Sequence, residues 1–466
     1  MVLLMSYTGK KVAVVGLGVN NTPLVQFLVG QGAEVTVLDR QTPEELQEYL
    51  KKLAGLPVVY HLGPDYLDYL KGQETVFLSP GVPQNYPAFQ KAKAGGTIFS
   101  SELGLFFSVK KSPVIGITGT SGKTTTTALT GAMLTGVKPV KVGGNIGRPP
   151  LSFLPELSPE TWVVLELSSF QLQNLGYSPD IAVMLNVTPN HLDVHTSWEE
   201  YVAAKAEIIR RQSAGDIAVF NWDNAVTRRL AGGAKGKVYY FSRRTEPARG
   251  AFIRNGSFFL KLTANTEEYL CRCSESRIPG THNQENILAA ALAARLAGAP
   301  PAEVVKAIRE FEGVEHRLEP VRELDGVSYY NDSIATTPEQ AVAGLLALSA
   351  PIVLIAGGYD KKLPFAEFAG VAVRRCRVVI LLGKTAEKIR EALARAGEKA
   401  GVLPEIYRAS SLKEAVLIAR KKARAGETVL LSPACASYDM FRNFEERGRL
   451  FKRLVLGFQT PNREKK

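Results

Sequence analysis

The sequence predicts an α/β protein of three domains, each built on a mostly parallel sheet with flanking helices. Three observations carry this expectation. Apolar β-branched runs alternate with amphipathic stretches almost from end to end, the pattern of parallel strands joined by helices. The pattern restarts after Lys110-Lys111-Ser112-Pro113 and again near Glu315-His316-Arg317. The 466 residues have room for two to four domains at roughly 100–200 residues each. The boundaries then fall at 1–111, 112–314 and 315–466.

In the first block, strands at Val12-Val15, Val35-Leu38, Val58-Tyr60 and Val76-Leu78 alternate with helical stretches such as Thr42-Leu53. In the second, the strand Val114-Thr118 runs into a glycine-rich loop. Strands Trp162-Leu167 and Ile181-Leu185, a helix over Trp198-Arg211 and two Ala-rich helices, Gln284-Leu296 and Pro301-Phe311, follow. The third holds strands Ile352-Ala356, Val378-Leu382 and Thr428-Leu431. The uncharged window Ala341-Gly358 is broken at Ser349-Ala350-Pro351, which suits a helix and then a buried strand rather than a membrane span.

With 45% apolar and 22% charged residues, each block can bury a core, and disordered or collagen-like classes are excluded. The four cysteines, Cys271, Cys273, Cys376 and Cys435, are too few for a disulfide framework, and Cys271-Arg272-Cys273 has no second pair to complete a zinc set. Reduced thiols in a cytoplasmic protein are expected, because no secretory leader pattern opens the chain. The net charge of +12 would suit nucleic acid, but the bases are scattered and no aromatic residues interleave with them. Anionic small substrates fit equally well, so neither a nucleic-acid partner nor membrane insertion is expected.

The most informative segment is Val114-Ile115-Gly116-Ile117-Thr118-Gly119-Thr120-Ser121-Gly122-Lys123-Thr124-Thr125. A strand, a glycine-rich turn and a helix start make a phosphate cradle: freed backbone N–H groups and the positive helix end face phosphate oxygens. Lys123 would reach the β- and γ-phosphates of ATP or GTP, and Thr124 a Mg²⁺ ion. The spacing departs from the usual loop in having Ile117 five residues before Gly122. Glu166 ends an apolar strand, where a carboxylate reaches the carboxyl edge of a parallel sheet; alone, it reads equally well as a solvated strand end. Two of the five histidines, His191 and His195, crowd the loop Asn186-His195, and Lys205 follows on a helix. By itself Lys205 would pass as a solvated lysine.

The first block carries Gly16-Leu17-Gly18-Val19-Asn20-Asn21 after a strand, with Asp39 where a ribose-binding acid belongs. Asn21 replaces the third glycine of a dinucleotide fingerprint, so a nucleotide-linked substrate is favoured over a redox cofactor.

Taken together, Thr118-Thr125, Gly143-Gly144-Asn145-Ile146-Gly147, Glu166-Leu167-Ser168-Ser169-Phe170-Gln171-Leu172, Asn190-His191-Leu192-Asp193, Gly280-Thr281-His282-Asn283 and His316-Arg317-Leu318-Glu319 resemble the Mur ligase family. Leu431-Ser432-Pro433-Ala434-Cys435-Ala436-Ser437-Tyr438-Asp439 and Phe441-Gly448 are most similar to its D-glutamate-adding branch. The resemblance implies Rossmann-like first and last domains around a phosphate-loop ATPase domain. It implies ATP-dependent addition of D-glutamate to UDP-N-acetylmuramoyl-L-alanine through an acyl phosphate, in bacterial peptidoglycan synthesis, by a monomer using two Mg²⁺ ions.

Carried over by position, Gly119, Thr120, Ser121, Gly122, Lys123, Thr124 and Thr125 would hold the ATP phosphates. Asn283 and Asn286 would hold the adenine, with Arg317 and Asp332 also on the nucleotide. Thr124, Glu166, His191 and a carbamylated Lys205 would hold metal, with Asn145 at the reacting groups. Gly18, Val19, Asn20, Arg40 and Ser79 would take the uridine diphosphate. Thr336, Lys361 (or its neighbour Lys362), Ser437 and Phe444 would take D-glutamate. The family often has Asp-His where this chain has Asn190-His191, and some members have lysine at Ile334. Rival readings are another amino-acid ligase of the family, an NAD(P) oxidoreductase and a nucleic-acid-binding ATPase. The oxidoreductase leaves the phosphate loop without a purpose, and the nucleic-acid-binding ATPase needs a basic, aromatic-studded groove that the sequence does not show.

Overall fold

The computed structural model describes residues 7–80, 82–83, 85–145, 148–173, 175–188, 197–263, 265–278, 280–361 and 363–459. The chain is an α/β protein with three sheets. The first takes β1 (Lys11–Val15), β2 (Glu34–Asp39), β3 (Val58–Leu62), β4 (Thr75–Leu78) and β5 (Ile98–Ser100) in the order β3-β2-β1-β4-β5. All its pairings are parallel. The order reverses at β1, so the turn Gly16–Asn20 opens at the switch point where such sheets receive ligands.

The second sheet takes β6 (Val114–Thr118), β7 (Val140–Gly144), β8 (Trp162–Glu166), β9 (Ile181–Met184), β10 (Ile217–Asn221), β11 (Lys237–Ser242), β12 (Gly250–Arg254), β13 (Ser257–Thr263) and β14 (Thr266–Arg272). Its order is β14-β13-β12-β11-β10-β9-β6-β8-β7, parallel except for the β12-β13-β14 meander. Here β6 lies between β8 and β9, which places the loop after β6 beside the ends of both.

The third sheet takes β15 (Glu319–Leu324), β16 (Val327–Asn331), β17 (Ile352–Ala356), β18 (Cys376–Leu381), β19 (Glu405–Arg408) and β20 (Thr428–Leu431), in the order β15-β16-β20-β17-β18-β19. Only β15 runs antiparallel. The first two sheets belong to one compact unit, residues up to 275 with 284–309. The third belongs to a second unit, 276–283 with 310 onward. In the first unit one apolar core runs from Val12, Leu24 and Phe77 through Phe106 and Phe153 to Val163.

The expected strands and helices form, with boundaries shifted by a few residues. The stretch 42–53 is helical only over Gln47–Lys52. Ahead of it the Thr42 amide donates to the Glu45 carboxylate at 2.8 Å, a turn that competes with helix. The sequence reading left out β5, β7, β10 to β16 and β19; among them the two glycines of β7 look like a loop, and the alternating polar residues of β13 and β14 suit a half-exposed meander. The window 341–358 is the end of helix Pro338–Ala347 followed by the fully buried β17. Among the described residues no helix is long and apolar enough to cross a membrane.

Candidate active site

The phosphate loop is built as a cradle. β6 is buried throughout, and helix Lys123–Leu134 starts at Gly122, whose φ of 84° lies in the left-handed region. A Cβ on Gly122 would come within 2.2 Å of the Asn286 side-chain oxygen, so the position tolerates only glycine. The loop is pinned from β9's end: Thr120 N–H donates to the Asn186 carbonyl at 2.9 Å and Ser121 N–H to the Asn186 side chain at 2.9 Å. Lys123 folds its ammonium onto the carbonyls of Gly119 and Thr120, both at 3.0 Å. Thr125 is buried in the first helical turn.

Directly behind lies Glu166. It is 2% exposed, which excludes the solvated strand end. Thr124 Oγ1 donates to one carboxylate oxygen at 2.8 Å and Asn145 Nδ2 to the other at 2.8 Å. Asn145 is held in turn by its amide on the Glu166 carbonyl at 2.9 Å. Gly144, at φ 104°, passes so close to β8 that a Cβ would sit 2.3 Å from that same carbonyl. The glycines before Asn145 therefore permit its approach.

Lys205 is not a solvated lysine. It is 2% exposed, and its amine donates to the Gly119 carbonyl at 2.9 Å and lies 4.8 Å over the Tyr201 ring. Burial, and then the Lys123 charge, push its pKa well below the ordinary lysine value, with Glu166 opposing. Tyr201, which the sequence reading overlooked, bonds Thr120 Oγ1 through its hydroxyl at 3.0 Å. His191 lies outside the described residues, as does all of 189–196. Asn286 is buried behind the loop and accepts from Thr126 Oγ1 at 3.3 Å.

The first-sheet cleft holds about 230 Å³ and is lined by Gly16, Asp39, Arg40, Tyr66 and Ser79, among others. Asp39 is buried and accepts the Leu17 amide at 2.6 Å, so its carboxylate shapes the glycine turn. Asn21 fills the third-glycine position by donating to the Gly16 carbonyl at 2.8 Å. Val19 is 60% exposed beside Gly18 and Asn20, and the helix Asn21–Gly30 begins there.

In the second unit, Lys361 Nζ lies 3.5 Å from Thr336 Oγ1; Lys362 falls outside the described residues. Ser437 is buried, and its carbonyl accepts the Met440 and Phe441 amides in a turn. Phe444 is the first residue of helix Phe444–Leu456, and that helix is capped by the Asn443 side chain on the Glu446 amide. A first-position N–H such as that of Phe444 has no intrahelical acceptor.

The turn is braced by Arg447, 1% exposed, which donates to Ser333 Oγ at 3.0 Å and to the Cys435 carbonyl at 3.1 Å. Its role could be suspected only from an arginine followed by glycine in an otherwise amphipathic helix. Asp332 is buried, accepts from Ser432 Oγ at 2.8 Å, and is pushed up to about 7 by burial, with the Arg317 charge opposing. Asn283 is also buried in this unit.

Three family models match the chain: the Mur ligase MurD-like N-terminal domain over residues 10–100, the Mur ligase middle domain over 117–294 and the Mur ligase glutamate ligase domain over 316–435. The UDP-N-acetylmuramoylalanine--D-glutamate ligase of Symbiobacterium thermophilum is 49% identical over 96% of this chain and 98% of its own. That of Acetivibrio thermocellus is 45% identical over 96% of both. Among solved structures, the chain is similar to the UDP-N-acetylmuramate-alanine ligase MurC of Thermotoga maritima, with TM-score 0.61, 20% identity and coverage of 96% and 99%. It is also similar to the MurF ligase of the same organism in complex with ADP, with TM-score 0.57, 17% identity and coverage of 98% and 97%. At those identities the two structures speak for the fold.

Proposed function

The chain belongs to the Mur ligase family, and on that premise we propose how its residues join D-glutamate to UDP-N-acetylmuramoyl-L-alanine with ATP, a step of bacterial peptidoglycan synthesis. The observation that carries the chemistry is the dry carboxylate of Glu166, held between Thr124 and Asn145 at the mouth of the phosphate loop.

A carboxylate is a poor electrophile until one of its oxygens becomes a leaving group. The alanyl carboxylate oxygen attacks the γ-phosphorus of ATP and ADP departs. The neutral amine of D-glutamate then attacks the acyl-phosphate carbon, phosphate leaves and the amine gives up a proton. The backbone of Gly119–Gly122 and the Lys123 ammonium bind the phosphates. That ammonium, freed from its two carbonyls, offsets the charge that develops on the transferred group. Asn145 orients Glu166 and faces the reacting atoms.

Thr124 and Glu166 together offer hard oxygen donors, the set that Mg²⁺ takes, and would hold one ion; His191 and a carbamylated Lys205 would serve a second. When bound, Mg²⁺ supplies positive charge at the β- and γ-phosphate oxygens. The low pKa of Lys205 supports carbamylation, because only the neutral amine reacts with CO₂.

Asn283 and Asn286 would contact the adenine, and Arg317 and Asp332 the nucleotide. Gly18, Val19, Asn20, Arg40 and Ser79 would take the uridine diphosphate, with the diphosphate on the helix N-terminus at Asn21. A monomer acting in the cytoplasm completes the proposal.

D-Glutamate brings two carboxylates, and Lys361, Thr336, Ser437 and the Phe444 N–H supply a cation and three donors. Steady-state kinetics and melting of Ser437→Ala test this. Charged hydrogen bonds contribute about 1.5–3 kcal/mol, so the KM for D-glutamate should rise by about one to two decades with a smaller effect on ATP. Because Asn443 caps the following helix, no cap is lost. A lowered melting temperature with an unchanged KM would make Ser437 structural.

A further inference from the structure

We infer that Glu102 is a positioning residue for this reaction: its buried carboxyl fixes the turn Pro150–Glu156, and through that turn the strand end that aims Asn145 at Glu166. The inference rests on the reading in which Asn145 and Glu166 face the reacting groups.

Glu102 opens the helix Glu102–Val109, which joins the last strand of the first sheet to β6 and its phosphate loop. It is 4% exposed although it is a carboxylic acid at a helix start, where solvation is easy. Its Oε1 accepts the Leu151 amide at 2.7 Å in the first turn of the 3₁₀ helix Pro150–Glu156. One helical turn on, Phe106 lies edge-on to Phe153 with centroids 6.2 Å apart, so one helix face grips that segment at two points.

The grip continues to the site. A Cβ on Gly143 would lie 2.9 Å from the Phe153 ring and 2.4 Å from the Arg148 carbonyl, and the Gly144 amide donates to that carbonyl at 3.3 Å. The next residue is Asn145. The same 3₁₀ segment also touches the helix Asn21–Gly30, whose start we assign to the diphosphate. The turn held by Glu102 thus borders the strand end that leads to Asn145 and packs on the helix Asn21–Gly30.

Burial pushes the Glu102 carboxyl up to about 8, the Leu151 amide opposing, so at pH 7 it is mostly neutral and glutamine is its isostere. Its own helix, Glu102–Val109, carries no other charge. The 3₁₀ segment carries only Glu156, which pairs with Lys141 and with Arg148.

The test compares Glu102→Met, which keeps volume but cannot accept the amide, with Glu102→Gln, which can. Kinetics are run on the full chain with all three substrates, below the melting temperature. A misaimed reacting group costs on the order of a hundredfold. E102M should therefore lose about tenfold to a hundredfold in kcat with the KM for D-glutamate unchanged, and E102Q should recover kcat to within about twofold. Phe153→Leu loosens the same turn without touching the carboxyl and should lower kcat in the same sense, which covers the case of E102M failing to fold.

Wild-type kcat in E102M, or in F153L where E102M does not fold, overturns the inference, as does E102Q no better than E102M. Absence of D-glutamate-dependent ADP release in the wild-type chain would instead overturn the reaction assigned above.

The sign of the pH effect gives a second reading. Between the ordinary 4.5 and about 8 the native state keeps a proton that the unfolded chain releases. Wild-type stability should therefore fall across that window and level off above it. The melting advantage of E102Q should grow over the same window; a difference that does not change with pH contradicts a buried neutral carboxyl.

Discussion

Lys123→Ala abolishes ATP-dependent product formation and leaves the fold intact. The Lys123 ammonium is the positive side chain that the structure places inside the glycine cradle, at the first position of the helix that begins there. Removing one preorganised charge donor from a transferring group costs about two to three decades in kcat. The stability cost is small: the ammonium's bonds to the carbonyls of Gly119 and Thr120 lie at the helix start, and the Lys205 amine still donates to that of Gly119. A loss of about 1 kcal/mol shifts a melting temperature by about 2–4 °C in a domain of this size. Wild-type turnover in the variant would sink the phosphate-loop assignment. A secondary consequence follows from the Lys205 environment: without the neighbouring charge its amine should be less depressed and more readily protonated.

Lys205→Ala should lose about two decades of activity and recover part of it with small carboxylic acids such as acetate. The wild-type amine is buried, its pKa pushed well down by burial and by Lys123 with Glu166 opposing, and it donates to the carbonyl of Gly119. The Nζ lone pair of the neutral amine can bond to the carbon of CO₂; the nitrogen then sheds one proton and leaves an anionic carbamate. A second-sphere or ligand carboxylate of this kind is worth about 10–100-fold in metal affinity or activity. A free carboxylic acid entering the space left by the alanine restores the anion without the tether. Native mass analysis of the bicarbonate-equilibrated enzyme should show the added CO₂. An active enzyme with an unmodified Lys205 refutes the carbamate, and a K205A variant deaf to carboxylic acids refutes its role.

The sequence made the strand-loop-helix of 114–134 legible because glycines, a Lys-Thr pair and β-branched runs each carry a local signal. Glu166 and Lys205 were visible as residue types but ambiguous, since burial is a tertiary property: each becomes distinctive only when β6, β8 and helix Trp198–Arg210 bring Thr124 or Gly119 to it. Tyr201 had no signal of its own and Arg447 only the glycine after it, because an aromatic or a charged residue in an amphipathic helix looks the same whether it faces water or braces a loop. The meander β12-β13-β14 was missed for a related reason. Its alternation of apolar and polar residues is weak evidence until a neighbouring strand covers one face. Asp39 stands where a ribose-binding acid belongs, a reading that the missing third glycine already disfavours; its carboxylate is engaged with the amides of Leu17 and Gln41 at 2.6 and 2.8 Å and shapes the glycine turn.

The most direct test of the reaction is ADP release by the full chain with UDP-N-acetylmuramoyl-L-alanine and ATP while the amino acid is varied among D-glutamate, L-glutamate, L-alanine and a diamino acid. ADP should form with D-glutamate and stay near background with the others. Equal or faster release with L-alanine or the diamino acid, or release that needs no amino acid at all, would contradict D-glutamate addition by this site.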